Sequence, residues 1–168
     1  MGEARAHLLD AVRTYKDRGE DRLTELFAVV LTACPDLTSE LFTLCELQPC
    51  DRYRVFTQEG RGDGRPDMMI DGFVGDAGVP VAHLWLEDKL DADWQHNQVA
   101  RYEQAQQELP GRKAVLCVVR YAPPFGARYL RWQRVAELCD RLGHEWCQTT
   151  WREEALSGDA PARMSPLR

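Results

Sequence analysis

Lysine is scarce in this chain: Lys16, Lys89 and Lys113 are the three among 168 residues, so a lysine at a chemically demanding position is not a common event. Serine is as thin, at Ser39, Ser157 and Ser165, and none sits in a nucleophile elbow, which sets aside serine-nucleophile hydrolysis. The six cysteines, Cys34, Cys45, Cys50, Cys117, Cys139 and Cys147, contain no C-x-x-C pair. Several have apolar neighbours and read as reduced core residues of a cytoplasmic protein rather than as zinc ligands. No apolar run approaches ~18 residues, and residues 1–22 are charged throughout, so neither a membrane span nor a signal peptide is expected. Gly60, Gly62 and Gly64 stand in a loop that no helix follows, which excludes a phosphate nest of the dinucleotide or P-loop kind. An overall basic footprint is also missing, since the formal net charge is -6.

What is present bounds a single soluble domain. Hydrophobic residues make 44% and charged residues 29% of the chain, and a chain of this length buries about 70% of its unfolded surface. One domain is expected over residues 1–150, with an N-terminal helix in 1–19 and a core in 20–150. Residues 151–168 form an extension, partly disordered or the start of a truncated helix. Helices are expected at 4–17, 20–33 and 38–47, with Pro35 ending the second. Strands follow at 53–58, 67–74 and 81–88, then a helix at 93–109, a valine-rich central strand at 113–120, a helix at 127–142 and a short strand at 145–149. This order gives an α/β fold, a central mixed β-sheet flanked by helices.

Chemistry concentrates between Pro66-Asp67 and Glu87-Asp88-Lys89. Strand side chains alternate between faces, so Val81, His83, Trp85, Glu87 and Lys89 share one face while Ala82, Leu84, Leu86 and Asp88 share the other. The second set is apolar until Asp88 and packs on a core, which leaves Glu87 and Lys89 on the face able to open to solvent. If the strands turn about Gly75-Asp76-Ala77-Gly78 with the centre at Ala77, Asp67 stands opposite Glu87. Opposed carboxylates lie roughly 5 Å apart at Cβ and repel unless something positive lies between them. A metal ion answers this, and oxygen-only ligands select Mg²⁺ or Mn²⁺ over zinc. Lys89 is then placed to serve an attacking water and to offset charge on a phosphoryl group. The bland alternative is a solvated strand end with an ordinary ion pair.

These residues resemble the PD-(D/E)xK nuclease superfamily, with Asp67 as the motif aspartate, Glu87 as the second acid and Lys89 as the lysine. Gln98-Val99-Ala100-Arg101-Tyr102 is similar to the Q-x-x-x-Y motif of its RecB-type branch. The resemblance covers roughly residues 20 to 150. It implies a restriction-endonuclease-like α/β/α sandwich in which Asp67, Glu87 and the backbone carbonyl of Asp88 hold Mg²⁺ or Mn²⁺. It further implies that Gln98 and Tyr102 line the cleft and help hold the nucleic-acid strand. The helical period agrees independently, because Trp94, Gln98, Tyr102, Ala105 and Leu109 form one stripe in which Gln98 is the only amide. The family often takes a further acid from its first core helix. Glu25 is the candidate, against an equal reading as helix surface, and Asp71 competes for that role. His83 reads as a packed histidine.

Arginines crowd Arg52, Arg54, Arg61 and Arg65 ahead of the acids. Arg61 and Arg65 could grip phosphates, with a solvated loop as the equal alternative. Together these features give a metal-dependent deoxyribonuclease, RNA being the less favoured substrate, compatible with defence against foreign DNA or with DNA repair. A homodimer or further domains of a larger nuclease system are open as partners. The alternatives are a catalytically inactive nuclease fold that binds nucleic acid or protein, and a small cytosolic interaction protein whose acids are surface charges.

Overall fold

The computed structural model describes residues 19–57, 65–76, 78–89, 94–95, 97–123 and 126–142. The expected helix at 4–17, the glycine loop with Arg61, the strand at 145–149 and the extension at 151–168 lie outside the described residues. Two helices, α1 (Gly19–Ala33) and α2 (Pro35–Leu44), precede three strands, β1 (Arg52–Thr57), β2 (Met68–Phe73) and β3 (Ala82–Lys89). Helix α3 (Gln98–Gln106) leads to β4 (Arg112–Val119), and β5 (Tyr129–Arg131) runs into α4 (Trp132–Arg141). The strands form one mixed sheet in the order β1-β2-β3-β4-β5. The β1/β2 and β2/β3 pairs are antiparallel, while β3/β4 and β4/β5 are parallel.

Side-chain parity divides the core between the two faces. Met68, Ile70, Ala82, Leu84, Leu86, Leu116 and Val118 pack with Leu23, Phe27, Leu31, Leu37, Leu41, Phe42 and Val135 from α1, α2 and α4. Met69, Trp85 and Val115 point the other way and meet Tyr102, with Val99 and Ala105 of α3 beside them. Burying β2 and most of β3 and β4 on both faces requires the near-continuous apolar runs seen in their sequences. Among the described residues no single helix is long and apolar enough to cross a membrane. The α1/α2 pair passes together by length and composition, but it bends by 105° and most of its apolar residues are buried in the core.

Three expected boundaries move. Pro35 opens α2 instead of merely closing α1, because a first-turn position needs no N–H and suits proline's fixed φ. Helix α3 begins at Gln98, so Trp94 lies ahead of it and not in its first turn. Residues 129–131, expected as helix, form β5, since Cys117 N–H donates to the Arg128 carbonyl and the β4 edge extends through Cys117↔Tyr129. Leu130 therefore reaches the core from a strand.

The turn into β4 is fixed by Gly111, at φ +79°, where an added Cβ would lie 2.3 Å from the Val81 carbonyl oxygen. Neither backbone atom can yield, because Arg112 N–H donates to that same carbonyl at 3.0 Å. Gly111→Ala is expected to cost about 3 kcal/mol or more in urea denaturation, combining left-handed strain with the clash. An alanine variant within 0.5 kcal/mol of the parent, about the scatter of neutral surface changes, would show that this approach does not exist.

Candidate active site

The β2/β3 register is the one that a turn centred at Ala77 requires: Met68 pairs with Leu86, Met69 with Trp85 and Asp71 with His83. Continued by one residue, the ladder brings Asp67 opposite Glu87, and Asp67 Oδ2 accepts from the Asp88 N–H at 2.8 Å. The Lys89 carbonyl accepts from Arg120 N–H, so backbone groups of odd-numbered β3 residues face β4. Even-numbered ones face β2. Asp88 therefore presents its carbonyl, like its N–H, on the Asp67 side.

Glu87 is the hub of a buried network. Its Oε1 accepts from Gln98 Nε2 at 2.5 Å and pairs with Lys89 Nζ at 2.8 Å, while Oε2 accepts from the Tyr102 hydroxyl at 2.9 Å. Gln98 Nε2 also donates to the Tyr102 oxygen at 3.0 Å. One turn of α3 thus brings an amide and a phenol onto one carboxylate. The Tyr102 oxygen lies 3.0 Å from the Arg65 carbonyl as well, which ties α3 to the segment carrying Asp67. Glu87 itself is only 1% exposed. The expectation that it opens to solvent is corrected, because α3 covers the strand end. Lys89, with its side chain 15% exposed, is the member nearest to water.

Two polar consequences follow from this covering. The Glu87 carboxylate dictates that Gln98 presents its nitrogen, which leaves Gln98 Oε1 buried without a donor, at about 1–3 kcal/mol for an unsatisfied acceptor. The Tyr102 phenol is pushed well above its ordinary value by burial and then by the Glu87 charge, so it remains a proton donor.

The other expected residues distribute unevenly. Glu25 accepts from Thr57 Oγ1 at 3.2 Å, and Thr57 pairs with Met68, on the sheet face opposite Glu87. The structure brings Glu25 to the same end of the sheet but not into the Glu87 network. Asp71 pairs with His83, Nδ1 to Oδ1 at 2.7 Å, both buried. That contact commits Asp71 to the histidine, four residues back along β3 from Glu87, and keeps His83 packed. Arg65 is exposed, and Arg61 lies outside the described residues. Among the described residues no three His, Cys, Asp or Glu side chains gather as an ion site; the expected ligands are two carboxylates and one carbonyl.

Cys117 is a neighbour that sequence reasoning assigned only to the core. It is the parallel partner of Glu87, fully buried, and no spacing rule foretells the register of a strand reached through a helical crossover. Burial, then Glu87 and Asp88, push its thiol up to about 12, and burial likewise pushes Cys45 up to about 11. Both raised values favour the protonated thiol in the folded state, so their stabilisation is complete below the unfolded value near 9 and lost as pH rises toward the folded values. Unfolding free energies from urea denaturation should fall from pH 9 to 11, by on the order of 1 kcal/mol per pH unit for each thiol, and Cys117→Ala should flatten that slope.

A groove of about 980 Å³ lies beside α3 on the β4 side. Neither Asp67 nor Glu87 lines it, and Gln98 is the residue common to groove and network. Comparisons of the chain with protein-family models, curated proteins and solved structures give no significant match.

Proposed function

We propose that this protein is a metal-dependent phosphodiester hydrolase acting on DNA in preference to RNA, built on a restriction-endonuclease-like α/β/α arrangement. The observation that carries the reading is the meeting of Asp67, Glu87 and Lys89 at one strand end with Gln98 and Tyr102 of the next helix. An ordinary surface ion pair needs no buried amide and phenol behind it. The donor set suits a hard cation. A carboxylate offers about four acceptor sites, Glu87 uses three, and the Asp88 carbonyl faces Asp67.

Asp67, Glu87 and the Asp88 carbonyl would hold Mg²⁺ or Mn²⁺, which when bound polarises a phosphoryl oxygen. Lys89, anchored at Glu87, orients the attacking water and offsets negative charge growing on the phosphorus oxygens. Water adds to phosphorus, the ester P–O bond breaks, and the proton leaves with the departing alkoxide. Gln98 and Tyr102 fix the Glu87 rotamer. As neutral donors they do so without cancelling the charge that a cation requires.

Isothermal calorimetry with Mn²⁺ tests the ligand set. Binding heat is expected for the parent and its loss in Asp67→Asn, which keeps an acceptor for the Asp88 N–H. Equal heats would remove Asp67 from the site. One observation favours a second reading, a catalytically idle binding module: Glu87 is almost wholly enclosed, and both its oxygens are already hydrogen-bonded. DNA binding that ignores metal and never leads to scission would mark that alternative.

A further inference from the structure

We propose that Tyr129, Arg131 and Tyr121, on the rim made by β5 and the end of β4, form the track for a single DNA strand running on from Glu87 and Lys89, which deepens the nuclease reading and rests on it. Leu130, paired with Val118, packs into the core with α1, α2 and α4. Strand side chains alternate, so Tyr129 and Arg131 stand on the opposite face, the face of Trp85, Glu87 and Lys89. Parallel pairing then sets two rows across the sheet: Glu87, Cys117 and Tyr129 in one, Lys89, Val119 and Arg131 in the next. Two strand spacings separate the ends of each row, about 10 Å between Cα atoms. Cys117 and Val119 between them are buried, whereas Tyr129 is 44% exposed and Arg131 is exposed too.

The neighbouring arginines are spent on protein acceptors. Arg128 binds the Cys45 carbonyl and pairs with Glu46, Arg134 pairs with Glu137, and Arg141 pairs with Glu40. Arg131 has no such partner among the described residues. Its guanidinium can therefore take a phosphate in a bidentate manner, next along the strand from the one held at Lys89. Aromatic residues flank it. Among the described residues Tyr121 and Tyr129 are the exposed aromatics, and both lie at this end of the sheet. Tyr121 follows Arg120, whose N–H donates to the Lys89 carbonyl. Edge strands are ordinarily blunted by charge or proline; two tyrosines astride an arginine instead alternate ring faces with a phosphate fork. That alternation fits a strand whose bases are unpaired, because a duplex keeps its base faces stacked on one another. An acidic peptide matches the charge but brings no base to stack.

The test is fluorescence anisotropy of the full chain with dye-labelled oligo(dT) of about a dozen nucleotides, in EDTA so that binding is read without scission. Arg131→Gln should shrink the slope of log affinity against log salt by about 0.7, the share of one phosphate contact on a single strand, and Arg131→Lys should restore it. Tyr129→Thr keeps a strand-forming residue and removes the ring, so affinity should fall about fivefold or more. A wholly abasic oligomer of the same length should lose at least as much on the parent, and Tyr129→Thr combined with Tyr121→Ser should close most of that gap. Circular dichroism checks that each variant is folded. Parental affinity and salt slope in both Arg131→Gln and the double tyrosine variant overturn the track. So does a parent that binds abasic strand and oligo(dT) alike, or that prefers an oligoglutamate of equal charge. These signatures in a protein that never cuts DNA in Mn²⁺ keep the track and sink the nuclease reading, whereas Mn²⁺-dependent scission with parental binding in the variants does the reverse.

Discussion

Lys89→Ala is expected to lower Mn²⁺-dependent DNA cleavage by about 10³-fold, the scale lost when one preorganised charge is removed from a reacting phosphoryl or acyl group. The physical reason lies in where this cation is held. Lys89 is one of three lysines, and its ammonium is held 2.8 Å from Glu87 Oε1. Its partial exposure lets the variant keep its fold, because water can reach the place that the ammonium leaves. Single-turnover cleavage of a labelled duplex reads the effect without interference from product release. A rate within a factor of two of the parent, a change near 0.4 kcal/mol in barrier, would remove Lys89 from the chemistry and reduce it to an ion-pair partner.

Glu87→Ala is expected to cost about 3–5 kcal/mol of stability, a large fraction of what a domain of this size possesses. Three donors converge on this carboxylate: the Gln98 amide, the Tyr102 hydroxyl and the Lys89 ammonium. Truncation takes the charged acceptor away from two donors buried under α3, leaving the Arg65 carbonyl for Tyr102 and the Tyr102 oxygen for Gln98, and it leaves the Lys89 ammonium without its carboxylate, a broken buried pair. Glu87→Gln should lose less, since it still offers Tyr102 an acceptor oxygen, although its own amide nitrogen then confronts that of Gln98. Urea denaturation at neutral pH orders the three proteins as parent, Glu87→Gln, Glu87→Ala. An alanine variant as stable as the parent would mean that the donors find other partners and that the network holds nothing in place.

Much of this site was legible because strands and helices impose periods. Alternation along β3 put Glu87 and Lys89 together, and the turn residues Gly75 to Gly78 set a register that the Met68↔Leu86 and Asp71↔His83 pairs obey. The four-residue spacing of Gln98 and Tyr102 placed both on one helix face, where they meet Glu87. Covering was less visible. Periodicity says which way Glu87 points but not how closely α3 lies over it, so the carboxylate was expected to open to solvent. Parallel pairing was equally hidden: the crossover from β3 to β4 leaves the Glu87↔Cys117 register without a local signal. The segment at 129–131 had helical charge spacing, yet its backbone was claimed by the unpaired edge of β4. Glu25 reaches the same end of the sheet and accepts from Thr57 on the other face, a placement that the helix period alone did not give.

Incubating the protein with supercoiled plasmid, linear duplex and single-stranded DNA, in Mn²⁺ and then in EDTA, tests the central claim most directly. Scission of at least one substrate in Mn²⁺, abolished by EDTA and by Asp67→Asn, is the result predicted for a metal-dependent phosphodiester hydrolase. Intact substrates in Mn²⁺, from a folded protein that still binds DNA, would contradict it and leave a nuclease-like fold that holds nucleic acid without cutting it.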